Sequence, residues 1–84
     1  MAEDARGNLI DDLAEQIGAP PLTQDEVDAL LELAAQAAHG TGDRTSAPLA
    51  SFLAGIAAAD SDDRLAAIVR LRDRAARIAP SPDS

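Results

Sequence analysis

His39, Gly40, Thr41, Gly42, Asp43 and Arg44 place the chain's single histidine, two of its five glycines and an Asp-Arg pair in six consecutive positions. An imidazole changes charge near neutral pH and ligates metals, glycines let a backbone approach an anion, and a guanidinium can clamp one. The first reading is therefore a small-anion site held by His39 and Arg44. The same residues also serve a plain structural purpose. His39 in the last turn of a helix faces unpaired carbonyls, Gly40 can end that helix, and Gly42 can turn the chain. The spacing matches neither GxxxxGK[ST] nor GxGxxG, and no strand precedes it. Glu32 and Asp43 are the nearby carboxylates, but no recognised metal-ligand spacing joins them to His39. With no cysteine in the chain, thiolate metal sites, disulfides and a cysteine nucleophile are excluded. The expectation is no catalytic residue, no metal and no bound cofactor, with His39 and Arg44 as the candidate ligand-binding pair.

The net charge is −8 and no lysine is present. So acidic a chain repels the phosphate backbone that dominates nucleic-acid affinity, which argues against a nucleic-acid partner. The charge is uneven: residues 1–60 hold 11 acids and two arginines, and residues 61–84 hold four acids and five arginines. The two regions should attract each other within the fold. Arg70, Arg74 and Arg77 fall on one side of the last helix and read as a solvated row. The longest charge-free apolar stretch, 47–59, is too short to cross a bilayer. The first residues are acidic where a secretory leader is basic. A cytoplasmic protein without a membrane partner is expected.

The elements that must position the 39–44 segment are helices. Alanine, leucine, arginine, glutamine and glutamate dominate, and β-branched residues are sparse. Four helices are predicted, at about 8–17, 24–39, 47–59 and 62–78, forming an all-α, compact four-helix bundle. Residues 1–7 are expected to be a flexible N-terminus and 79–84 a disordered tail, with a single domain over 8–78. Leu9, Ile10, Leu13 and Ile17 stripe the first helix, and Gly18 is placed to stop it in a left-handed cap. Thr23 and Glu26 form a capping box for the second, with Leu22 and Val27 as a hydrophobic staple. Its apolar face is read as Val27, Leu30, Leu31, Ala34 and Ala38.

The third helix carries a stripe of Leu49, Phe52, Leu53 and Ile56, and small residues elsewhere. That small-residue face, with Ser51, Ala54, Gly55 and Ala58, is the candidate interface. Ser61 is the expected N-cap of the fourth helix. Its apolar half is Leu65, Ile68, Val69, Leu71, Ala75, Ala76 and Ile78, and Arg72 falls inside that half. An isolated buried guanidinium is costly, so Arg72 should snorkel or pair with an acid of the first or second helix.

The segments "AHG" at 38–40, Arg44, and "APLASFLAG" at 47–55, with Ile17-Gly18 upstream, resemble a family of small helical domains of unknown function. Its members occur in high-GC bacteria, alone or attached to molybdenum cofactor guanylyltransferase. Relatives commonly carry a tryptophan in the first helix and a proline after the arginine, where this chain has Thr45. The resemblance implies an accessory or interaction module associated with molybdopterin guanine dinucleotide biosynthesis, not the transferase itself. Its implied partner is a molybdenum-cofactor biosynthesis protein. Two alternatives stand beside it, a small-anion or pterin-nucleotide binding protein using His39 and Arg44, and a structural homodimer.

Overall fold

The computed structural model describes residues 2–78, with side chains over 5–77. The expected tail at 79–84 lies outside the described residues. The chain is an all-α four-helix bundle: α1 (Ala2–Gln16), α2 (Gln24–Thr41), α3 (Ser46–Ala59) and α4 (Arg64–Ile78). The first helix begins six residues before the expected start, so residues 2–7 are helical. Ala2 to Asn8 hold no proline or β-branched residue, and the single Gly7 costs only about 1 kcal/mol, so helix extends through them. No helix among the described residues is long and apolar enough to cross a membrane.

Local signals set most of the boundaries. Gly18 adopts φ 70°, and its N–H donates to the Glu15 carbonyl at 3.1 Å while that of Ala19 donates to Ala14 at 2.9 Å. This is a Schellman end, with glycine at the one position where a side chain would be strained. At the start of α2, Thr23 Oγ1 accepts from the Glu26 N–H at 3.1 Å, and Glu26 Oε1 accepts from the Thr23 N–H at 2.8 Å. The capping box is complete. Helix α2 then runs through Gly40 and stops at Gly42, φ 74°, whose N–H donates to Ala38. Thr41 keeps the extra turn in place by donating its hydroxyl to the Ala37 carbonyl at 2.7 Å. Asp63, rather than Ser61, caps α4, because its carboxylate accepts from the Ala66 N–H at 3.1 Å. Ser61 instead accepts from the Asp63 N–H and holds the preceding turn.

Tight packing is carried by α2, α3 and α4, each of which meets the other two. The buried apolar set is Ala29, Leu33, Ala37, Ala54, Ala58, Ala67 and Ile68, five alanines and two large side chains. Leu30, Ala50, Leu65, Val69, Leu71 and Ala75 pack around them. The inward face of α4 agrees with the sequence pattern at Leu65, Ile68, Val69, Leu71 and Ala75, but Ala67 is also buried and Ala76 is exposed, and the side chain of Ile78 lies outside the described residues. Two other faces do not. Helix α2 turns Ala29, Leu33 and Ala37 inward and leaves Leu31 half exposed, a rotation of about one residue from the expected face. Helix α3 is reversed: Ala54 and Ala58 are inside, whereas Leu49, Phe52, Leu53 and Ile56 are 66, 69, 60 and 50% exposed. Alanine at 50, 54 and 58 forms an i, i+4 row that lets three helix backbones approach closely, which a leucine-phenylalanine row would not.

Among the described residues α1 packs closely against none of the other helices. It lies across a groove from the first half of α2, with Arg6, Ile10 and Asp11 on one side and Leu22, Val27 and Leu31 on the other. The groove encloses about 490 Å³. Leu22 and Val27, the staple pair, both line it and are half-buried.

Gly55 lies mid-helix and exposed, and a methyl group added there meets nothing within 4 Å. Gly55→Ala should therefore stabilise the fold by about 0.5–1 kcal/mol through helix propensity and a less disordered unfolded chain. A urea melt showing a lower midpoint would contradict the open surroundings of that position.

Candidate functional site

The loop between α2 and α3 is built by its own side chains. Asp43 Oδ1 accepts from the Thr45 hydroxyl at 2.7 Å and from the Thr45 N–H at 2.9 Å. Those two bonds, the hydroxyl's first, hold the Asp43 carboxyl below its usual range. Thr41 Oγ1 lies 2.9 Å from Ser46 Oγ and closes the turn across its base. Asp43 is thus committed to the turn. His39, in the last turn of α2, and Arg44, in the loop, are both exposed, and neither joins an ion pair among the described residues. Among the described residues, no three histidine, aspartate or glutamate side chains come together in a group that could hold a metal.

Of the candidate interface residues, Ala54 and Ala58 are inside the core, Ser51 is half-buried and its hydroxyl donates to the Ala47 carbonyl, and Gly55 is exposed. Ala54 and Ala58 of the small-residue face are therefore occupied by the chain's own helices, and Gly55 is not. The face of α3 that remains accessible is the larger one, Leu49, Phe52, Leu53 and Ile56. No charged residue occurs anywhere in α3.

Two ion pairs join α2 to α4. Arg72 Nη1 lies 3.2 Å from Glu32 Oε1, as its position on the apolar half of α4 required, and its Nε donates to Asp73. This occupies Glu32, one of the two carboxylates near His39. The second pair is not evident in the sequence. Arg64 grips Glu26 with both arms of its guanidinium, Nε to Oε2 at 2.8 Å and Nη2 to Oε1 at 2.7 Å. The same guanidinium donates to the carbonyls of Pro20 at 3.1 Å and Pro21 at 3.0 Å. Glu26, 5% exposed, is the buried charged residue among those described. One carboxylate therefore caps α2, while its partner ties the proline segment to the start of α4. The available signal was Arg64 itself, a cation at the positive end of a helix dipole, where it is unfavourable unless something else holds it.

The Arg64 hydrogen bonds, against the opposing effect of burial and with help from Thr23, hold the Glu26 carboxyl below its ordinary value of 4.5. A carboxyl depressed on folding stabilises the native state above its unfolded pKa and loses that contribution as pH falls through the folded value. Stability should be flat near neutrality and fall in acid, below about pH 4.5. Glu26→Gln should be less stable at pH 7 and show a shallower acid limb, with the slope from Asp43 retained. Urea melts from about pH 7 to about pH 2.5 span the carboxylate range and read both; equal acid slopes in the two proteins would refute the assignment.

Fold and site together define a small all-α domain with two ion pairs between α2 and α4 and an accessible apolar face on α3. The chain belongs to a family described as a domain of unknown function, DUF6457, whose model matches residues 2–83. No curated protein and no solved structure matches it.

Proposed function

We propose that this chain is a non-enzymatic interaction module serving molybdenum cofactor biosynthesis. The observation that carries the reading is the outer face of α3, four large apolar side chains at least half exposed on a helix without charge. Small soluble domains keep such a contiguous patch for contact. Exposed His39 and Arg44, in the segment leading into α3, supply the polar rim that accompanies apolar interface centres. The cofactor context is supported by the resemblance of residues 38–55 to domains found beside molybdenum cofactor guanylyltransferase.

The test is titration calorimetry of the purified chain against the purified guanylyltransferase. Binding that is lost in Phe52→Arg and weakened in the His39→Ala, Arg44→Ala double variant would support the reading. No heat up to about 100 µM, well above the micromolar range of specific association, would end the cofactor context.

The exposure of both His39 and Arg44 at one loop favours a second reading, a small-anion or pterin-nucleotide site. Titrating a guanine nucleotide while following the His39 ring resonances should then give saturable shifts, and none at millimolar concentration would dismiss it.

A further inference from the structure

We propose that two copies of this chain form a two-fold dimer in which α1 of each lies along the outer face of α3 of the other. The inference rests on the reading of α3 as a contact surface and names the occupant of that surface in the free protein.

Among the described residues two apolar stripes lack partners. One is Leu49, Phe52, Leu53 and Ile56 on α3; the other is Leu9 and Leu13 on α1 with Ile17 in the turn just past its end, which are 56, 50 and 79% exposed. Helix α1 packs closely on no other helix of its own chain among the described residues, so its stripe is free to serve another. The Schellman end at Gly18 separates α1 from the proline segment, and Arg64 pins Pro20 and Pro21, which fixes the point from which α1 departs.

Area decides which pairing is sufficient. At about 180 Å² for a fully exposed large side chain, the α3 stripe offers roughly 440 Å² and the α1 stripe roughly 330 Å². Two α3 faces meeting alone would bury roughly 900 Å², less than a stable interface needs. Exchange of α1 for α3 on both sides makes up to roughly 1,500 Å² of side-chain surface available for burial, within the range of specific dimers. Such an arrangement is isologous and closes on itself, leaving neither stripe open for filament growth.

Charge restricts where a second copy can dock. Two chains of net charge −8 repel each other across most surfaces. The charge-free α3 is where they can meet with least desolvation of carboxylates: at about 100° per residue Asp11 and Glu15 fall on the side of α1 away from its stripe, and Asp12 falls at the stripe's flank, where it stays in water. A guanylyltransferase using the α3 face would compete with the second copy for it.

Light scattering coupled to size exclusion, from about 1 to about 200 µM, brackets the affinities expected of an interface this size and tests the pairing. The wild-type chain should have the mass of a dimer, and Leu13→Glu and Phe52→Arg should each be monomeric with unchanged helical circular dichroism. Mixing the two variants should restore a dimer, because the unaltered α1 of one meets the unaltered α3 of the other. In the second contact the new carboxylate faces the new guanidinium. A wild-type monomer at every concentration overturns the proposal, as does a dimer indifferent to Leu13→Glu. A monomer that still binds the enzyme through Phe52 would overturn the dimer and leave the contact reading intact. If Phe52→Arg alters neither mass nor binding, both readings fall.

Discussion

Replacing Arg64 with alanine should cost about 3 kcal/mol of folding stability, because it strands a buried carboxylate. Glu26 remains inside at the junction of α2 and α4, having lost both arms of the guanidinium that balanced its desolvation. Its oxygens keep the Thr23 N–H, which cannot neutralise a full charge. The proline carbonyls lose their donor in the same step. The Arg64 side chain is 26% exposed, so water can partly replace it, which places the effect at the lower end of values for buried pairs. In a domain of this size that corresponds to a fall in melting temperature of about 12–24 °C. Arg64→Lys should recover only part, since an ammonium supplies the charge without the two-armed geometry. A double-mutant cycle with Glu26→Ala would show strong coupling. A loss below about 1 kcal/mol in Arg64→Ala, the range of an exposed pair, or additive single effects, would mean that the pair is ornamental to the fold.

Leu33→Ala should cost a similar amount, about 3 kcal/mol, by leaving a cavity where α2 meets α3 and α4. Leu33 is 2% exposed and, with Ile68, is one of two large side chains in the buried set. Its neighbours there, Ala29, Ala54 and Ala58, have no rotamers with which to fill the space. Ala54→Leu approaches the same site from the opposite direction. Ala54 is fully buried, and three added carbons would push the helices apart at a cost of about 1–3 kcal/mol. Chemical denaturation of both variants reads these effects. If Ala54→Leu were neutral while Leu33→Ala was severe, the close contact of α3 with its neighbours would be wrong.

The contrast between Ala54 and Phe52 shows where sequence reading succeeds and where it fails. Thr23, Gly18 and Arg72 were legible because each answers a local demand: an orphan N–H, a left-handed backbone, a charge on an apolar face. The four helices followed from such demands. The inward face of α3 did not. Neither side of that helix carries charge, so its hydrophobic periodicity has little direction, and size alone points toward Leu49 and Phe52. The fold decides otherwise because three helices packing closely favour small residues at their seam. In α2 the buried Glu26 adds a second constraint, since meeting Arg64 requires that face to turn inward. Residue 64 lies 38 positions away, and no local pattern links the two. The exposed positions of His39 and Arg44 follow from the turn, which is readable, whereas the accessible apolar face of α3 follows from the packing, which is not.

The alanine seam has a thermal consequence. Most of the surface that unfolding uncovers in the centre of this protein is methyl groups and backbone, and the isobutyl and aromatic surface on α3 is already wet in the single chain. The heat-capacity increment of the monomer should then fall below the usual ~12–15 cal/mol/K per residue, giving a broad, shallow stability curve. Such a curve loses little on cooling. In the dimer, burial of those side chains would steepen it, so that the temperature dependence of stability would itself vary with protein concentration.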